Sequence, residues 1–393
     1  MEKSISNRFY FDYNATSPLA KKVIDFLHGG DFYFGNPASQ HQTGKNAKKI
    51  INETSDYLFK SFSLSSQNHK IFYHSGASEG INSIFKGIAL KFFNEHKKAS
   101  FFFSEVDHAC VIELKDFLET LGHKVIFFQV DKNGVFHKEN VINLILKEKT
   151  QGSEPFLNYT YVNNESGVVW PLSWAVEIKN QSSAFIHVDA VQIVGKIPNW
   201  NELDQALDAY TFSGHKFGSL KGIGFSFLQN KSQFPALITG GTQQEGLRAG
   251  TENALGIYSL KLALLDMTLN FNSHELAHAK DIIEKGMIEF IGPKGEVVGV
   301  LNPNRNLNTI FLILYGQKAE SLSIKFDMNS IDVSTGSACS SGIIKESRVL
   351  MKMGYKSEEA RSALRFSFSP YMTKEEASSY LDKIKSVLKS VIS

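Results

Sequence analysis

Three features of the sequence predict an α/β protein built on a largely parallel sheet. From residue 70 onward short apolar runs alternate with longer amphipathic stretches, the runs are apolar almost throughout, and polar residues gather where they end. The runs 71–75 (IFYHS), 101–104 (FFFS), 125–130 (VIFFQV), 158–162 (NYTYV) and 184–189 (AFIHVD) read as strands. Strands apolar on both sides need cover on both sides, and the amphipathic segments 79–94 and 108–121 supply helices for it. The stretch 221–230 (KGIGFSFLQN) reads as a tight turn followed by another strand. After about residue 252 a long helical stretch leads away, and TIFLIL at 309–314 begins a second, smaller alternation that closes with a helix over 373–391. The expected organisation is a large domain over 15–255, with 1–14 and 256–393 forming a smaller α/β domain. The sequence has no internal repeat and no low-complexity tract.

Composition narrows the function classes. At roughly 100 to 200 residues per domain, 393 residues suffice for two or three domains with a sizeable core. Hydrophobic residues at 42% and charged residues at 21% exclude a disordered or collagenous chain. Lys and Arg total 42 against 40 Asp and Glu, so net charge gives no reason to expect nucleic acid or an anionic membrane as a partner. No run approaches the roughly 18 to 20 apolar residues of a spanning helix, and the polar start MEKSISNRFYFDYN lacks the apolar core of a secretory signal. A cytoplasmic location is expected. The two cysteines, Cys110 and Cys339, are too few for a disulfide framework or a four-thiolate metal site.

In open α/β sheets, ligands bind beyond the carboxyl ends of the strands. Polar residues at strand ends therefore take priority. The turn SGAS at 75–78 follows a strand and opens a helix, so its backbone N–H groups and the Ser78 hydroxyl can converge on a phosphate. Alone it is equally a turn of small residues. No dinucleotide or P-loop glycine pattern accompanies it. Asp189 ends an apolar strand and needs a cationic or N–H partner if buried. Lys216 sits in the loop of TFSGHKFG at 211–218, either as a solvated loop lysine or as a desolvated Schiff-base nucleophile. His108 starts the helix after FFFS and is either a helix cap or a ring presented to a flat cofactor. A phosphate cradle, a strand-end acid and a loop lysine are together the parts that pyridoxal phosphate requires.

The ordered set FDYNATSP (11–18), FGNPAS (34–39), SGASEGIN (75–82), YVNNESGVV (161–169), HVDAVQ (187–192), SGHKFG (213–218), GLRAGTEN (246–253), STGSAC (334–339) and LRFS (364–367) resembles the cysteine desulfurases. The resemblance covers nearly the whole chain and points to the group that supplies iron–sulfur cluster assembly and tRNA thiolation. It implies the pyridoxal-phosphate fold type I, with a mainly parallel seven-stranded sheet in the large domain. It also implies that Lys216 tethers the cofactor, Asp189 pairs with the ring nitrogen, Gln192 bonds the ring hydroxyl and His108 stacks on the ring. Ala77, Ser78, Ser213 and His215 match phosphate ligands. Thr251 matches a residue reaching the phosphate of the other subunit, which implies a homodimer. Asn164 and Arg365 match groups that hold the carboxylate of the substrate, L-cysteine. Cys339 matches the persulfide-forming nucleophile, on a loop of about 332–346, from which sulfur passes to an acceptor protein.

Some positions depart from the pattern. Ser78 replaces the usual Thr; Gln244 and Glu245 stand where Glu and Arg are usual; Glu346 and Arg348 replace Pro and His. Rival readings keep the fold and change the reaction to selenocysteine cleavage or transamination, or remove turnover altogether. A remote rival is a zinc peptidase through HELAH at 274–278, with His274 and His278 as ligands and Glu275 as base. The apolar stripe Leu276, Ala279, Ile283, Met287 and Phe290 turns both histidines away from the core, so a solvated face is expected instead.

Overall fold

A computed structural model describes residues 8–30, 32–336 and 346–392. Its strands in chain order are β1 (Phe9–Tyr10), β2 (His69–His74), β3 (Ala99–Ser104), β4 (Lys124–Phe128), β5 (Glu154–Thr160), β6 (Phe185–Asp189), β7 (Ala209–Ser213), β8 (Gly224–Gln229), β9 (Gly295–Val297), β10 (Thr309–Leu314), β11 (Ile331–Asp332), β12 (Ser334–Thr335) and β13 (Ala363–Ser367). A seven-stranded sheet runs in the order β2-β8-β7-β6-β5-β3-β4. It is parallel from β7 to β4, and β8 is antiparallel to both neighbours. This is the α/β class with a mainly parallel sheet that the alternation implies.

The two-residue period of a strand sorts its side chains between two cores. In β3 all six residues are buried. Phe101 and Phe103 face one core with Ile81, Ile84, Phe85 and Val111, while Phe102 faces the other with Leu157 and Tyr159. The FFFS run is therefore apolar throughout because both faces are covered. The segment 108–121 is two short helices, Ala109–Ile112 and Lys115–Thr120, and not one. A tighter turn, with Leu114 N–H bonded to the Val111 carbonyl at 3.1 Å, separates them while keeping Val111, Leu114 and Leu118 buried.

A four-stranded antiparallel sheet, β12-β13-β10-β9, forms a second layer. β10 lies between cores: Ile310, Leu312 and Leu314 pack with Leu276, Ile283 and Met287 of helix Ser273–Ile291 and Ile384 of helix Lys374–Ile392, whereas Phe311 and Ile313 join the large core. β1 pairs in parallel with β11, and Phe11 packs into the smaller core. Helix Ala254–Asn270 buries Ile257, Leu260, Ala263 and Met267 in the large core. No helix among the described residues is long and apolar enough to cross a membrane.

Candidate active site

The carboxyl ends of β6 and β7, the start of helix Ala77–Asn94 and residues 15 and 16 enclose a cavity of about 690 Å³. Its wall includes Ala77, Ser78, His108, Asn164, Asp189, Gln192, Ser213, His215 and Lys216, nine residues drawn from five separate segments of the chain. Gly76, Ala77, Ser78 and Glu79, at the start of helix 77–94, line it; the N–H groups of Glu79 and Gly80 are bonded to the Gly76 carbonyl, which leaves those of Ala77 and Ser78 outside the helix's own bonding. Ser213 Oγ lies against Gly76, only 3.8 Å from where a Cβ there would stand, so hydroxyl and helix terminus converge on one spot. Glu79, also in that first turn, is turned aside to accept from Ser75 N–H at 2.8 Å and from Arg248 Nε at 2.9 Å. Its negative charge is thereby neutralised beside a site suited to an anion. His215 Nδ1 lies 3.1 Å from Thr16 Oγ1.

Asp189 is the last residue of β6 and is 8% exposed. Its Oδ1 accepts from Val191 N–H at 3.1 Å. Burial pushes the carboxyl up to about 6, only partly opposed by that bond and by Lys216. Lys216 ends a single 3₁₀ turn after β7, and its Nζ donates to the carbonyls of Asn14 at 2.7 Å and Ala15 at 2.8 Å. Burial, followed by repulsion from Arg365, lowers the amine to about 8, so an appreciable fraction is the free base near neutral pH. The loop lysine is thus the desolvated one.

His108 is both a helix cap and a cavity wall: its Nδ1 accepts from Cys110 N–H at 3.2 Å, with the Cys110 thiol 3.1 Å from the same nitrogen. The residue is exposed and lines the cleft. Desolvation, with the charges of Lys216 and Arg348, holds the imidazole down at about 4. An Nδ1 that accepts leaves the single proton of the neutral ring on Nε2. Beneath it Asp107 is wholly buried, accepting from Ser104 N–H at 3.0 Å, Asn158 Nδ2 at 2.9 Å and Thr160 Oγ1 at 2.7 Å.

The aminotransferase class-V family profile matches residues 9–379, which is nearly the whole chain. The chain belongs to the class-V aminotransferase family. A relative named cysteine desulfurase IscS, from Dictyoglomus turgidum, is 32% identical over 397 residues, covering 97% of this chain and 95% of its own length. The X-ray structure of a NifS-like protein from Rickettsia africae superposes with a TM-score of 0.83 at 26% identity, covering 98% of this chain and 100% of that one. The structure titled SspA in complex with cysteine has a TM-score of 0.76 at 26% identity, covering 93% of this chain and 100% of that one.

Class-V aminotransferases depend on pyridoxal phosphate, and the donor set here fits that group. A buried acid at a strand end, a desolvated lysine with its pKa lowered, and a hydroxyl facing a helix N-terminus match a ring nitrogen, an aldehyde and a phosphate respectively. Asp189 would hold the ring nitrogen, Lys216 the aldehyde carbon, and Ala77, Ser78, Ser213 and His215 the phosphate.

Other expected residues lie elsewhere. Arg365, in β13, is 5% exposed and stands behind the cavity wall, donating to the Asn164 carbonyl at 3.1 Å and to Asp12 Oδ1 at 2.7 Å; its Nε is buried without a partner. Thr251 is exposed and lines a smaller neighbouring cavity of about 210 Å³, which shares Ser75 and Gly222 with the larger one. Cys339 lies outside the described residues.

The departures from the family pattern have local partners. The Gln244 amide accepts from Tyr73 N–H and donates to Tyr73 O at 3.1 Å, closing part of the open edge of β2; a carboxylate could make only the first bond. Gln244 and Glu245 adopt φ of 51° and 58°, a left-handed conformation costly for either residue, which this docking holds in place. Glu346 accepts from Ser357 Oγ at 2.6 Å and Arg361 Nε at 3.2 Å. Arg348 donates to the carbonyls of Glu105 and Asp107, tying the small sheet's flank to the segment that carries His108.

The zinc reading does not form. His274 and His278 are exposed on helix Ser273–Ile291, and the Glu275 carboxylate instead accepts from Lys374 N–H at 2.8 Å, at the start of the last helix. Among the described residues no three potential ligands come together. Sequence reasoning also missed Asp12, which pairs with Arg365, Asn14, whose carbonyl accepts from Lys216, and the contact of the Cys110 thiol with His108. Asp12 and Asn14 lie in the FDYNATSP motif, which was the available signal; the position of Cys110 beside His108 was another.

Proposed function

We propose that this chain is a pyridoxal-phosphate-dependent cysteine desulfurase, converting L-cysteine to L-alanine and passing the sulfur to Cys339 as a persulfide. The observation that carries the reading is that Lys216 and Asp189 line one cavity with the start of helix Ala77–Asn94, in a chain alike over nearly its whole length to relatives named for this activity. When bound, the cofactor supplies an electron sink for the substrate α-carbon. Lys216 would tether it, and its amine is placed to take the α-proton on Nζ. Asp189 would hold the ring nitrogen and Gln192 the ring hydroxyl. His108, with its proton on Nε2, would lie against the ring and relay the proton of the substrate thiol. Asn164 and Arg365 orient the substrate carboxylate. The Cys339 thiolate attacks the substrate sulfur; an S–S bond forms, the C–S bond breaks, and its electron pair leaves with carbon that is protonated to alanine.

We further propose a cytoplasmic homodimer in which Thr251 reaches the partner subunit's phosphate site, with an iron–sulfur scaffold or a tRNA-thiolation enzyme as sulfur acceptor. The proposed organisation is a large unit over 15–255 and a smaller one formed by 1–14 and 256–393.

Incubation with L-cysteine alone, without a reductant or acceptor, tests the activity: alanine and persulfide on Cys339 are expected in equal amounts, and pyruvate or free sulfide without persulfide contradicts it. The lowered Lys216 pKa makes the pH dependence specific. Capture of added pyridoxal phosphate by the empty protein is expected to accelerate with pH through a midpoint of about 8, followed by the growth of visible colour. A rate independent of pH across the neutral range contradicts it. Arg365→Ala is expected to raise KM for L-cysteine by about 10- to 100-fold, the worth of one charged hydrogen bond, with a smaller effect on kcat. Steady-state kinetics check this, and an unchanged KM removes Arg365 from the carboxylate site.

A further inference from the structure

Lys196 is 1% exposed and its amine is spent on no carboxylate: Nζ donates to Oε1 of Gln192, four residues earlier in a run of turns. Burial first, then the charges of Lys216 and Arg365, hold its pKa well below the usual lysine range, with Asp12 opposing them. A lysine sealed in protein with an amide as its partner is costly, and it lies outside the cavity wall. What it touches lies on the wall. Gln192 is 4% exposed, lines the cavity, and donates from Nε2 to the Asn14 carbonyl at 3.0 Å, the same carbonyl that accepts from Lys216 Nζ at 2.7 Å.

The chemistry of the two neighbours fixes the sense of the amide. The Lys196 amine donates to the amide oxygen, and a carbonyl such as that of Asn14 accepts and never donates. Oε1 therefore points to Lys196, and the NH2 group points to Asn14 and the cavity. Without Lys196 only the Asn14 carbonyl would oppose a half-turn of the amide, which would offer an acceptor to the cavity in place of a donor. We propose that Lys196 is a positioning residue, fixing the Gln192 amide so that it meets the cofactor ring hydroxyl as a hydrogen-bond donor. The inference rests on the cofactor reading above.

A double-mutant cycle on cofactor binding tests it, with pyridoxal phosphate titrated into the cofactor-free full chain and the dissociation constant read from absorbance. Lys196→Met keeps the length of the stem and removes the donor. It is expected to weaken binding about tenfold, the size of one good hydrogen bond, when Gln192 is present. In a Gln192→Ala background the same change is expected to alter binding by less than about twofold, because the residue it acts through is gone. An equal loss in both backgrounds, or no loss with Gln192 present, overturns the proposal. Gln192→Glu gives a second arm for the case in which Lys196→Met fails to fold. It keeps an acceptor for Lys196 and pairs the buried charge, yet presents only acceptors to the cavity. Binding weakened about tenfold or more supports a required donor, and wild-type binding overturns it. Failure of the unsubstituted protein to bind pyridoxal phosphate at all overturns the functional reading and this inference together, whereas binding with additive losses overturns only the inference.

Discussion

Replacing Lys216 with alanine is expected to remove the yellow colour of the bound cofactor and L-cysteine turnover together. One nitrogen is asked to do two jobs, holding the cofactor in place and moving the α-proton, so its loss is not partial. A loss on the order of 10⁴-fold in kcat is expected, at the upper end for removal of a single acid–base group. The local structure supports this concentration of roles. The amine is held by two backbone carbonyls, at 2.7 Å and 2.8 Å, and has no carboxylate partner in those bonds. Burial then favours the free base. Alanine leaves the fold with little to lose, since the 3₁₀ turn Gly214–Lys216 is closed by backbone bonds and Phe217 N–H still reaches the Gly214 carbonyl at 3.1 Å. Absorbance and alanine production measured on the same sample check the expectation. A variant that is coloured and active contradicts the assignment.

The second large effect belongs to Cys339. Cys339→Ser is expected to keep the cofactor colour and bind L-cysteine, yet release no sulfide above background when a reductant is supplied. Cys110 cannot take over. It lines the same cavity, but burial pushes its thiol up to about 12, and its sulfur rests 3.1 Å from His108 Nδ1. A protonated thiol is a poor nucleophile at neutral pH. Sulfide release at the unsubstituted rate contradicts the persulfide route, and labelling of Cys110 would show where the sulfur went instead.

How much of this was legible in the sequence depended on the range of the interaction. The two-sided strand FFFS and the run TIFLIL were readable because strand burial leaves an unbroken apolar trace. The strand read at 158–162 occupies Glu154–Thr160 in the structure. Pro155, a residue that cannot donate to a ladder, pairs with Ser100 in the parallel register. Residues 161 and 162 in turn leave the sheet, and Val162 bridges to Val169. The gathering of Ala77, Ser78, Asp189, Ser213 and Lys216 in one cavity was legible through strand ends, because topology brings the ends of parallel strands together. The Arg365–Asp12 pair spans 353 positions, and no local pattern announces it. Lys196 stands four residues after Gln192, a spacing visible to the eye, but burial was what gave the spacing meaning. Arg348 is similar: its chain-specific side chain reads as a departure until the carbonyls of Glu105 and Asp107 are seen to accept from it.

The most direct test is to load the protein with pyridoxal phosphate, reduce it with borohydride and map the modified residue by peptide mass spectrometry. The cofactor is expected on the peptide containing Lys216, at that lysine alone. Cofactor found on Lys196 or Lys221, or on no lysine, would contradict the central claim.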